Sequence, residues 1–338
     1  IICGVRRPDA GHRYSLNAMT RILVLGGTGF VGRAVCEKLS ERSSSDRIVV
    51  PTRREPRGSG VRLLPTVDLV VGDVNDPATL SRLVAGCDAV VNLVAILHGT
   101  RAQFERAHVA LPQQLVQACK AAGVRRIVHV SALGIGPEGG KEAPSNYLRS
   151  KTAGETVLMG SGLDVTVLRP SVIFGAHDHF INLFARLQSL APVVPLAGSG
   201  ARFQPVWVED VAAAIVHCID SRATIGQVYE CAGPQVFTLS EIVRLSGRWS
   251  GHERPQIPLP AWAGKLQAAA MELLPGTPLM SRDNVDSMSV PNIASGKLPG
   301  LHDLGITPAA LQAVAPGYLG DLFVRPDLDR FRAGGDRT

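Results

Sequence analysis

The sequence of 338 residues predicts an α/β protein, built as a doubly wound parallel sheet with a small C-terminal α/β lobe. Three observations predict this class. Short apolar runs rich in Val and Ile alternate with longer helical stretches, a glycine-rich turn follows the first run, and the alternation is lost after Arg169. Such alternation implies parallel strands joined by right-handed crossovers, with helices on both faces of the sheet.

Each predicted strand is short, apolar and bounded by Gly, Asp or Pro. The strands are 21–25, 47–50, 68–71, 88–94, 126–130 and 164–169, and the helices between them are 30–40, 77–85, 104–122 and 145–160. Beyond Arg169 we predict a helix over Glu209–Asp220, a strand over Gln227–Glu230, a helix capped near Thr238–Ser240, a helix over Ala261–Leu274 and a short helix near Arg282–Met288. We therefore divide the chain into a core at 20–175 and an interleaved lobe at 176–325. Residues 1–19 are expected to be a disordered or mis-assigned extension, and 326–338 a flexible tail.

Composition excludes several classes of protein. The 35 Lys and Arg residues exceed the 29 Asp and Glu residues by six, but they are spread along the chain, so no nucleic-acid partner is expected. No apolar run approaches the roughly 20 residues of a membrane-spanning helix. The six cysteines form no C-x-x-C pair, which argues against a zinc ribbon or disulfide scaffold and favours a reduced compartment. His177-Asp178-His179 lacks an evident third ligand, so no metal site is expected.

The glycine-rich turn is LGGTGFVG, between the first predicted strand and the first helix. Gly26 permits the tight turn, Gly29 lets the backbone approach a pyrophosphate, and Gly32 allows the helix to pack closely on the strand. The helix N-terminus then offers free N–H groups and a partial positive charge to phosphates. The turn predicts a Rossmann dinucleotide site with contacts from Gly26, Thr28, Gly29, Phe30, Val31 and Gly32.

The end of the second strand bears on the choice of cofactor. NAD sites usually place an acidic residue there, to accept hydrogen bonds from the adenine ribose. Here Thr52 occupies that place, and Arg53 and Arg54 follow it. Guanidinium groups suit a 2′-phosphate, so NADP(H) is favoured while NAD(H) stays possible. The alternative is that these arginines, with Arg57, form a solvated loop face.

Two further segments are assigned to the cofactor by their order along the chain. Asp73 and Val74 follow the third strand and are expected to border the adenine. The end of the fourth strand is expected to pass beside the ribose, and its contact residues are Leu93, Val94 and Ala95.

A tyrosine and a lysine stand four residues apart at the start of the helix after the fifth strand. This spacing puts Tyr147 and Lys151 on one helix face. A nearby ammonium favours tyrosinate, so Lys151 is expected to lower the pKa of Tyr147 toward a range useful for acid–base catalysis. The alternative is an ordinary amphipathic helix start with Ser145 as N-cap.

With these motifs in place, the sequence resembles the extended and atypical short-chain dehydrogenases/reductases, the group of NAD-dependent epimerases and dehydratases. The matching segments are GGTGFVG, GDV (72–74), NLVA (92–95), HVSALG (129–134), YLRSK (147–151), LRPSVIFG (168–175) and FQPVWVEDVA (203–212). With PLMSRDNVDSM (278–288), the pattern looks most like bacterial relatives of the NAD(P)H-binding accessory subunit of respiratory complex I, kin to a coenzyme Q biosynthesis factor.

The resemblance implies further site residues. The segment with Pro170, Ser171 and Val172 borders the nicotinamide in extended members of the family. Ala132 stands where the family carries a catalytic Ser or Thr. Ser131 is adjacent but faces the other way in a continuing strand, and His108 takes the place of the family's helix-four Asn. Ser131 and His108 are therefore weaker catalytic candidates than Tyr147 and Lys151.

Two functions follow from this mixture of matches and departures. One is a NADPH-dependent oxidoreductase, or an epimerase-like enzyme, acting on a small and quinone-related substrate with Tyr147 as acid and base. The other is a non-catalytic NADP(H)-binding protein that serves the structure or assembly of a respiratory or quinone-synthesising complex. The expected location is cytoplasmic, free or peripheral at the inner membrane.

The helix predicted over Ala261–Leu274 places Trp262, Leu266, Ala270 and Leu273 near one face. We expect this face to pack on the parent domain, as amphipathic helices ordinarily do. The alternative is that it docks on a membrane surface or on a partner protein.

Overall fold

A computed structural model describes residues 20–54, 58–135, 143–273 and 280–320. The expectations for the extension at 1–19, the tail at 326–338 and Arg57 lie outside the described residues.

The strands and helices alternate along the first half of the chain. The strands are β1 (Arg21–Leu25), β2 (Arg47–Thr52), β3 (Val67–Val71), β4 (Ala89–Asn92), β5 (Arg126–Val130), β6 (Asp164–Pro170), β7 (Ile173–Phe174), β8 (Val194–Ala197), β9 (Arg202–Phe203), β10 (Val206–Trp207), β11 (Val228–Cys231), β12 (Phe237–Thr238) and β13 (Gln256–Leu259). The helices are α1 (Phe30–Arg42), α2 (Ser59–Arg62), α3 (Pro77–Val84), α4 (Arg101–Glu105), α5 (Leu111–Ala122), α6 (Asn146–Met159), α7 (Ile181–Leu190), α8 (Val208–Asp220), α9 (Leu239–Trp249), α10 (Ala261–Glu272) and α11 (Arg282–Ser287).

Seven strands form one parallel sheet in the order β3-β2-β1-β4-β5-β6-β11. Successive side chains of a strand point to opposite faces, so β1 sends Ile22 and Val24 into the apolar core under α1 and α8. It sends Leu23 and Leu25 into the core that α3, α5 and α6 cover on the other face. The doubly wound α/β fold predicted from the sequence is confirmed.

Two elements that follow Arg169 in the sequence are part of the core rather than of the lobe. The strand predicted at 227–230 is β11, which pairs with β6 and completes the sheet. Helix α8 packs across α1 and contributes Val211 and Ile215 to the core of that face. The chain therefore leaves the core after β6 and returns to it with the consecutive elements α8 and β11.

Strand β4 ends at Asn92, two residues before the predicted end at 94. The side-chain oxygen of Asn92 accepts a hydrogen bond from the backbone of Val94 at 3.2 Å. Such a turn bends the chain away from the sheet, and it opens the segment that runs over the strand ends.

The helix predicted over 104–122 is interrupted by a π-helical turn at Arg106–Ala110. Pro112 has no backbone N–H to donate to the carbonyl of His108, four residues earlier. That carbonyl faces α6, where a Cβ built on Gly154 would lie only 1.8 Å from its oxygen. The proline and the close approach of α6 account for the π turn, a feature often found at functional sites.

A smaller lobe has its own apolar core. It contains α7, α9 and two-stranded sheets such as β13 with β8, and its interior includes Phe174, Leu196 and Leu239. None of the described helices is long and apolar enough to cross a membrane.

The expectation that the large apolar face of α10 packs on the parent domain is wrong. Trp262 is 72% exposed, Leu266 66% and Leu273 87%. The helix packs through its small residues instead, and a Cβ on Gly264 would come within 2.5 Å of the Ala197 side chain on β8. Small residues permit a close approach on one side, which leaves the large apolar side chains on the other side facing outward.

Candidate cofactor site and active site

The glycine-rich turn connects β1 to α1 at the carboxyl end of the sheet. Gly26 has φ +85°, a conformation that favours glycine. A Cβ on Gly32 would lie 2.3 Å from the carbonyl oxygen of Gly26 and 2.5 Å from the Gly27 Cα, so no side chain fits there. Gly29 begins the helix, and no described side chain caps it. The backbone N–H groups that open α1 are therefore presented without a side-chain partner.

This turn fits the pyrophosphate of a dinucleotide. The glycines remove the side chains that would hold a ligand away from the backbone, and the uncapped helix end carries positive partial charge. Thr28 and Val31 are half-buried beside the turn. The Phe30 ring extends from the start of α1 to the residue after β7, where a Cβ on Gly175 would come within 3.1 Å of it.

The segment after β2 contains the arginines expected at an adenine ribose. Thr52 is buried, and its hydroxyl bonds to the backbone of Arg54 at 2.9 Å, so its own side chain is occupied. Arg53 and Arg54 are exposed. Hydrogen bonds from Asn75 lower the pKa of Asp73, and the charge of Arg53 lowers it further. The guanidinium of Arg53 after β2 is thus near enough to the carboxylate of Asp73 after β3 for their charges to interact.

Asn75 is a residue that sequence reasoning missed. Its backbone N–H and its side-chain amide both donate to Oδ1 of Asp73, at 3.0 and 2.7 Å. Val74 between them is half-buried against the core. The local sequence D-V-N is compatible with such a turn, but only the bonds show that Asp73 is held in place.

The three residues expected beside the ribose follow β4. The Leu93 backbone lies 3.2 Å from a Cβ built on Gly26, so this segment borders the glycine turn. Val94 is half-buried and Ala95 is exposed. The β4 end therefore lies close enough to the turn for both to touch one extended ligand.

The Tyr147–Lys151 pair begins α6, whose N-cap is Ser145. Lys151 is buried and donates from Nζ to the carbonyl of Val130 at the end of β5, 2.8 Å away. Burial lowers the pKa of Lys151 to about 8.

The expectation that Lys151 lowers the pKa of Tyr147 is wrong for the chain by itself. Burial raises the pKa of Tyr147 to about 12. The ammonium of Lys151 is directed to the carbonyl at the end of β5, and desolvation has the larger effect on the phenol.

His108 lies on the π turn beside Tyr147, and both of its ring nitrogens have protein partners. Nε2 accepts from the backbone N–H of Ile96 at 3.1 Å, so in the neutral ring Nδ1 carries the proton and donates to Ser150 Oγ at 2.8 Å. Burial, followed by the charge of Lys151, lowers the pKa of His108 to about 3. A neutral ring with both nitrogens engaged positions its neighbours and has no free nitrogen for a substrate.

Tyr147 is held between two rings. Its centroid lies 5.6 Å from that of His108 and 6.2 Å from that of Phe104, both in edge-on arrangements. Phe104 is fully buried on α4. Sequence reasoning missed Phe104, because its position four residues before His108 also suits an ordinary apolar helix face.

Ser131 and Ala132 follow β5 and face opposite sides of an extended segment. Ser131 donates its backbone N–H to Leu168, and Leu133 donates to Pro170, so the ladder with β6 continues past the end of the strand. The hydroxyl of Ser131 is buried, with no hydrogen-bond partner among the described residues. Ala132 therefore places no hydroxyl on the side of the segment where the resemblance leads us to expect one.

A second histidine was not singled out from the sequence, although it stands within the HVSALG segment. His129 is buried on β5 with Nδ1 3.2 Å from the amide nitrogen of Asn92. Burial holds its pKa well below the usual range, and the charge of Lys151 acts in the same direction. The charge of Lys151 therefore acts on two buried histidines, His108 and His129, and lowers the pKa of both.

The loop expected at the nicotinamide is fastened by a residue distant in sequence. Ser171 donates to both the backbone and the side-chain oxygen of Asn292, and the Val172 N–H donates to that same side-chain oxygen at 2.9 Å. Pro170 ends β6 and accepts from Leu133. Asn292 was missed because nothing near it in the sequence indicates which distant loop it meets.

Two buried acidic residues, Asp178 and Asp210, are engaged with the backbone. The Asp178 carboxylate accepts from the N–H groups of Gly175, Phe180, Ile181 and Asn182 and so caps α7. Asp210 accepts from the backbone of Ala309 at 2.8 Å. These bonds give both carboxylates a structural role.

Comparison with known proteins agrees with this geometry. The model of an NAD(P)H-binding family matches residues 26–222. The mouse mitochondrial protein NADH dehydrogenase [ubiquinone] 1 alpha subcomplex subunit 9 is 31% identical over 300 residues, which cover 86% of this chain and 77% of the mouse protein. A ceramide reductase of Caulobacter vibrioides is 31% identical over 197 residues, or 58% of this chain and 59% of that protein.

A solved structure supports the fold. The NADPH-dependent quinone oxidoreductase QOR2 of Escherichia coli, crystallised with NADPH, superposes with a TM-score of 0.69 at 20% identity, over 90% of this chain and 99% of that one. The family match and the mouse relative go further than fold. The chain belongs to the NAD(P)H-binding family whose model it matches, and it is a relative of the mitochondrial NADH dehydrogenase subunit 9 proteins.

Proposed function

We propose that this protein is a NADP(H)-dependent oxidoreductase in which Tyr147 exchanges a proton with the oxygen of a carbonyl substrate. The observation that carries the proposal is the Tyr147–Lys151 pair, which opens α6 beside the end of β5. A quinone-related substrate is the class we favour, because relatives and structural neighbours include a ubiquinone-linked subunit and a quinone oxidoreductase.

The preference for NADP(H) rests on charge. Exposed Arg53 and Arg54 follow β2, and Thr52 takes the place of an acidic residue that would repel a 2′-phosphate. A charge-assisted hydrogen bond to a phosphate contributes about 1.5 to 3 kcal/mol. NAD(H) lacks that phosphate and would not gain this contribution.

When bound, the nicotinamide cofactor supplies or accepts the hydride. Tyr147 donates its phenolic proton to the substrate oxygen as negative charge develops there, and takes a proton back in the reverse direction. Lys151, whose pKa is about 8, stays within one helical turn and adds positive charge when protonated. His108 holds Tyr147 and the Ile96 backbone in register as a positioning residue. With Ala132 in place of a hydroxyl, Tyr147 would be the main hydrogen-bond donor to the substrate oxygen, and slow turnover is expected.

The first experiment is a calorimetric titration of the protein with NADPH and with NADH. Arg53→Ala is expected to weaken NADPH about 10- to 100-fold and to leave NADH unchanged. Arg82→Ala removes the same charge from the exposed side of α3 and serves as the matched control. Equal binding of both cofactors, unaffected by Arg53→Ala, would contradict the phosphate-site proposal.

Turnover is the second experiment. Purified protein is assayed with NADPH and a panel of quinones and quinone precursors, and Tyr147→Phe is expected to abolish the rate while cofactor binding persists. A rate that Tyr147→Phe leaves unchanged would remove Tyr147 from the mechanism.

A second candidate function is a non-catalytic cofactor-binding component of a respiratory or quinone-synthesising complex, held at the surface of the inner membrane. The outward apolar stripe of α10, formed by Trp262, Leu266 and Leu273, favours it, because exposed apolar patches commonly mark interaction sites. Leu266→Glu would then release the protein from native membranes while NADPH binding stays unchanged. Leu190→Glu, which makes the same change at a 76% exposed leucine of α7 outside the stripe, is the control. Turnover that depends on Tyr147, together with a membrane association that Leu266→Glu leaves intact, would exclude this candidate.

A further inference from the structure

We propose that Asp283 is a positioning residue for Tyr147: its carboxylate on α11 holds the first turn of the helix that carries the tyrosine. The Asn146 N–H donates to Oδ1 of Asp283 at 2.7 Å, and the Tyr147 N–H donates to Oδ2 at 3.0 Å. Asp283 lies 136 residues after Tyr147 in the chain. Its effect on catalysis rests on the function proposed above, whereas its effect on the position of the tyrosine does not.

The two bonds supply hydrogen-bond acceptors for the first N–H groups of α6. The first N–H groups of any α-helix have no partner within the helix. In α6 the Ser145 hydroxyl accepts from Leu148 at 3.1 Å, but the helix has no acidic residue in its own first turn. Asp283 accepts from the two donors that precede Leu148 and places a negative charge at the positive end of the helix dipole. Its carboxylate therefore completes the helix start from outside the helix.

Helix α11 is itself anchored at several points around the site. Ser281 and Asn284 form a capping box that begins the helix. The Asn284 side chain donates to the carbonyl of Leu97 at 3.2 Å, and Ser287 donates to Ser145 Oγ at 2.8 Å. Asp283 is thus presented from a short helix that joins the segment after β4 to the start of α6.

The effect of this contact is expected to fall on Tyr147 more than on Lys151. Tyr147 is the second residue of α6, and its backbone N–H is one of the two groups that Asp283 holds. Lys151 stands a full turn further along and is held by the carbonyl of Val130. Loss of the Asp283 carboxylate removes the partners of the Asn146 and Tyr147 N–H groups, so the first turn of α6 and the backbone of Tyr147 are free to move. The ring then loses its fixed orientation against His108, while the lysine and the glycine-rich turn stay in place.

The experiment compares Asp283→Ala and Asp283→Asn with Asp286→Ala. The asparagine retains one oxygen that accepts an N–H, so it is expected to recover part of the lost function. Asp286 stands on the same helix and pairs with Lys265 at 2.8 Å on the other side, which makes it the matched control. We measure kcat, KM, NADPH affinity and the unfolding midpoint of each protein. We also record the ¹⁹F resonance of Tyr147 in protein labelled with 3-fluorotyrosine, assigned by its loss in Tyr147→Phe.

Asp283→Ala is expected to lower kcat up to about 100-fold, with KM and NADPH affinity near those of the wild type, and to shift or broaden the Tyr147 resonance. The kcat and the Tyr147 resonance of Asp283→Asn are expected to lie between those of Asp283→Ala and the wild type. Those of Asp286→Ala are expected to match the wild type. Unchanged kcat and an unchanged resonance in Asp283→Ala would overturn the proposal. So would a loss that follows only the fraction of unfolded protein.

If the wild type turns over no substrate, the proposed function fails and the fluorine resonance decides this inference by itself. A resonance moved by Asp283→Ala and not by Asp286→Ala supports it, and one moved by neither overturns it. If Asp283→Ala does not fold, Asp283→Asn carries the same comparison.

Discussion

Replacement of Gly32 by alanine tests whether close packing in the glycine-rich turn underlies cofactor binding. The new Cβ would lie 2.3 Å from the Gly26 carbonyl oxygen, while ordinary contact begins near 3.4 Å, so the turn and α1 must separate by 3.4 − 2.3 = 1.1 Å. The neighbours are backbone atoms and cannot rotate away. Overpacking of this kind costs about 1 to 3 kcal/mol. The displaced atoms include the carbonyl that shapes the turn and the N-terminus that would face the phosphates.

Two measurements on Gly32→Ala are informative together. Chemical unfolding reports the loss of stability, and calorimetric titration reports NADPH affinity, which is expected to fall about 5- to 150-fold if the same 1 to 3 kcal/mol is lost on binding. Gly200→Ala is the control, because a Cβ there meets nothing within 4 Å. A folded Gly32→Ala protein that binds NADPH like the wild type would refute the assignment of this turn to the pyrophosphate.

Three further predictions concern the π turn and the strand ends. Gly154→Ala places a Cβ 1.8 Å from the His108 carbonyl oxygen, and it is expected to cost about 3 kcal/mol or more in chemical unfolding; near wild-type stability would show that α6 and the π turn separate easily. The pKa of His108 is about 3 in the fold against 6.5 for an ordinary histidine, so its neutral state stabilises the fold above about pH 6.5 and loses that effect as the pH falls toward 3. Between about pH 7.5 and pH 5, His108→Asn should therefore lose about 2 kcal/mol less unfolding free energy than the wild type, and equal losses would contradict the burial argument. Ala132→Ser restores the hydroxyl expected by resemblance and should raise any Tyr147-dependent turnover by about tenfold or more; no gain would mean that this position does not face the substrate.

The positions of the central strands along the chain were readable from the sequence because each is buried on both faces. Such strands are short, continuous apolar runs, and β1 and β5 match their predicted bounds residue for residue. The glycine-rich turn was readable for a related reason. Gly32 has no room for a Cβ, so the constraint appears directly as a residue type.

Electrostatic consequences were less accessible. The spacing of Tyr147 and Lys151 suggested that the lysine would lower the pKa of the phenol, and the pKa is instead raised to about 12. The shift depends on how much water each group loses and on where the ammonium points, which is toward the Val130 carbonyl. Neither quantity is encoded in a spacing of four residues.

The outward face of α10 illustrates a similar limit. A helix with large apolar residues on one side ordinarily buries them, and the sequence pattern favours that outcome. The other side carries Gly264 and Ala268, which allow a closer approach to β8 than Leu266 would. Which side packs is decided by the shape of the neighbouring sheet, and that shape is formed by distant residues.

The sequence by itself determined the class of fold, the glycine-rich turn and the presence of a tyrosine–lysine pair, because each depends on local patterns that residue types must satisfy. Tertiary structure alone decided which distant groups meet that pair. Asp283 reaches the start of α6, and Asn292 fastens the loop at Ser171 and Val172. These contacts join segments more than 100 residues apart, and a hydrogen bond between such segments leaves no periodic or compositional signal in either one.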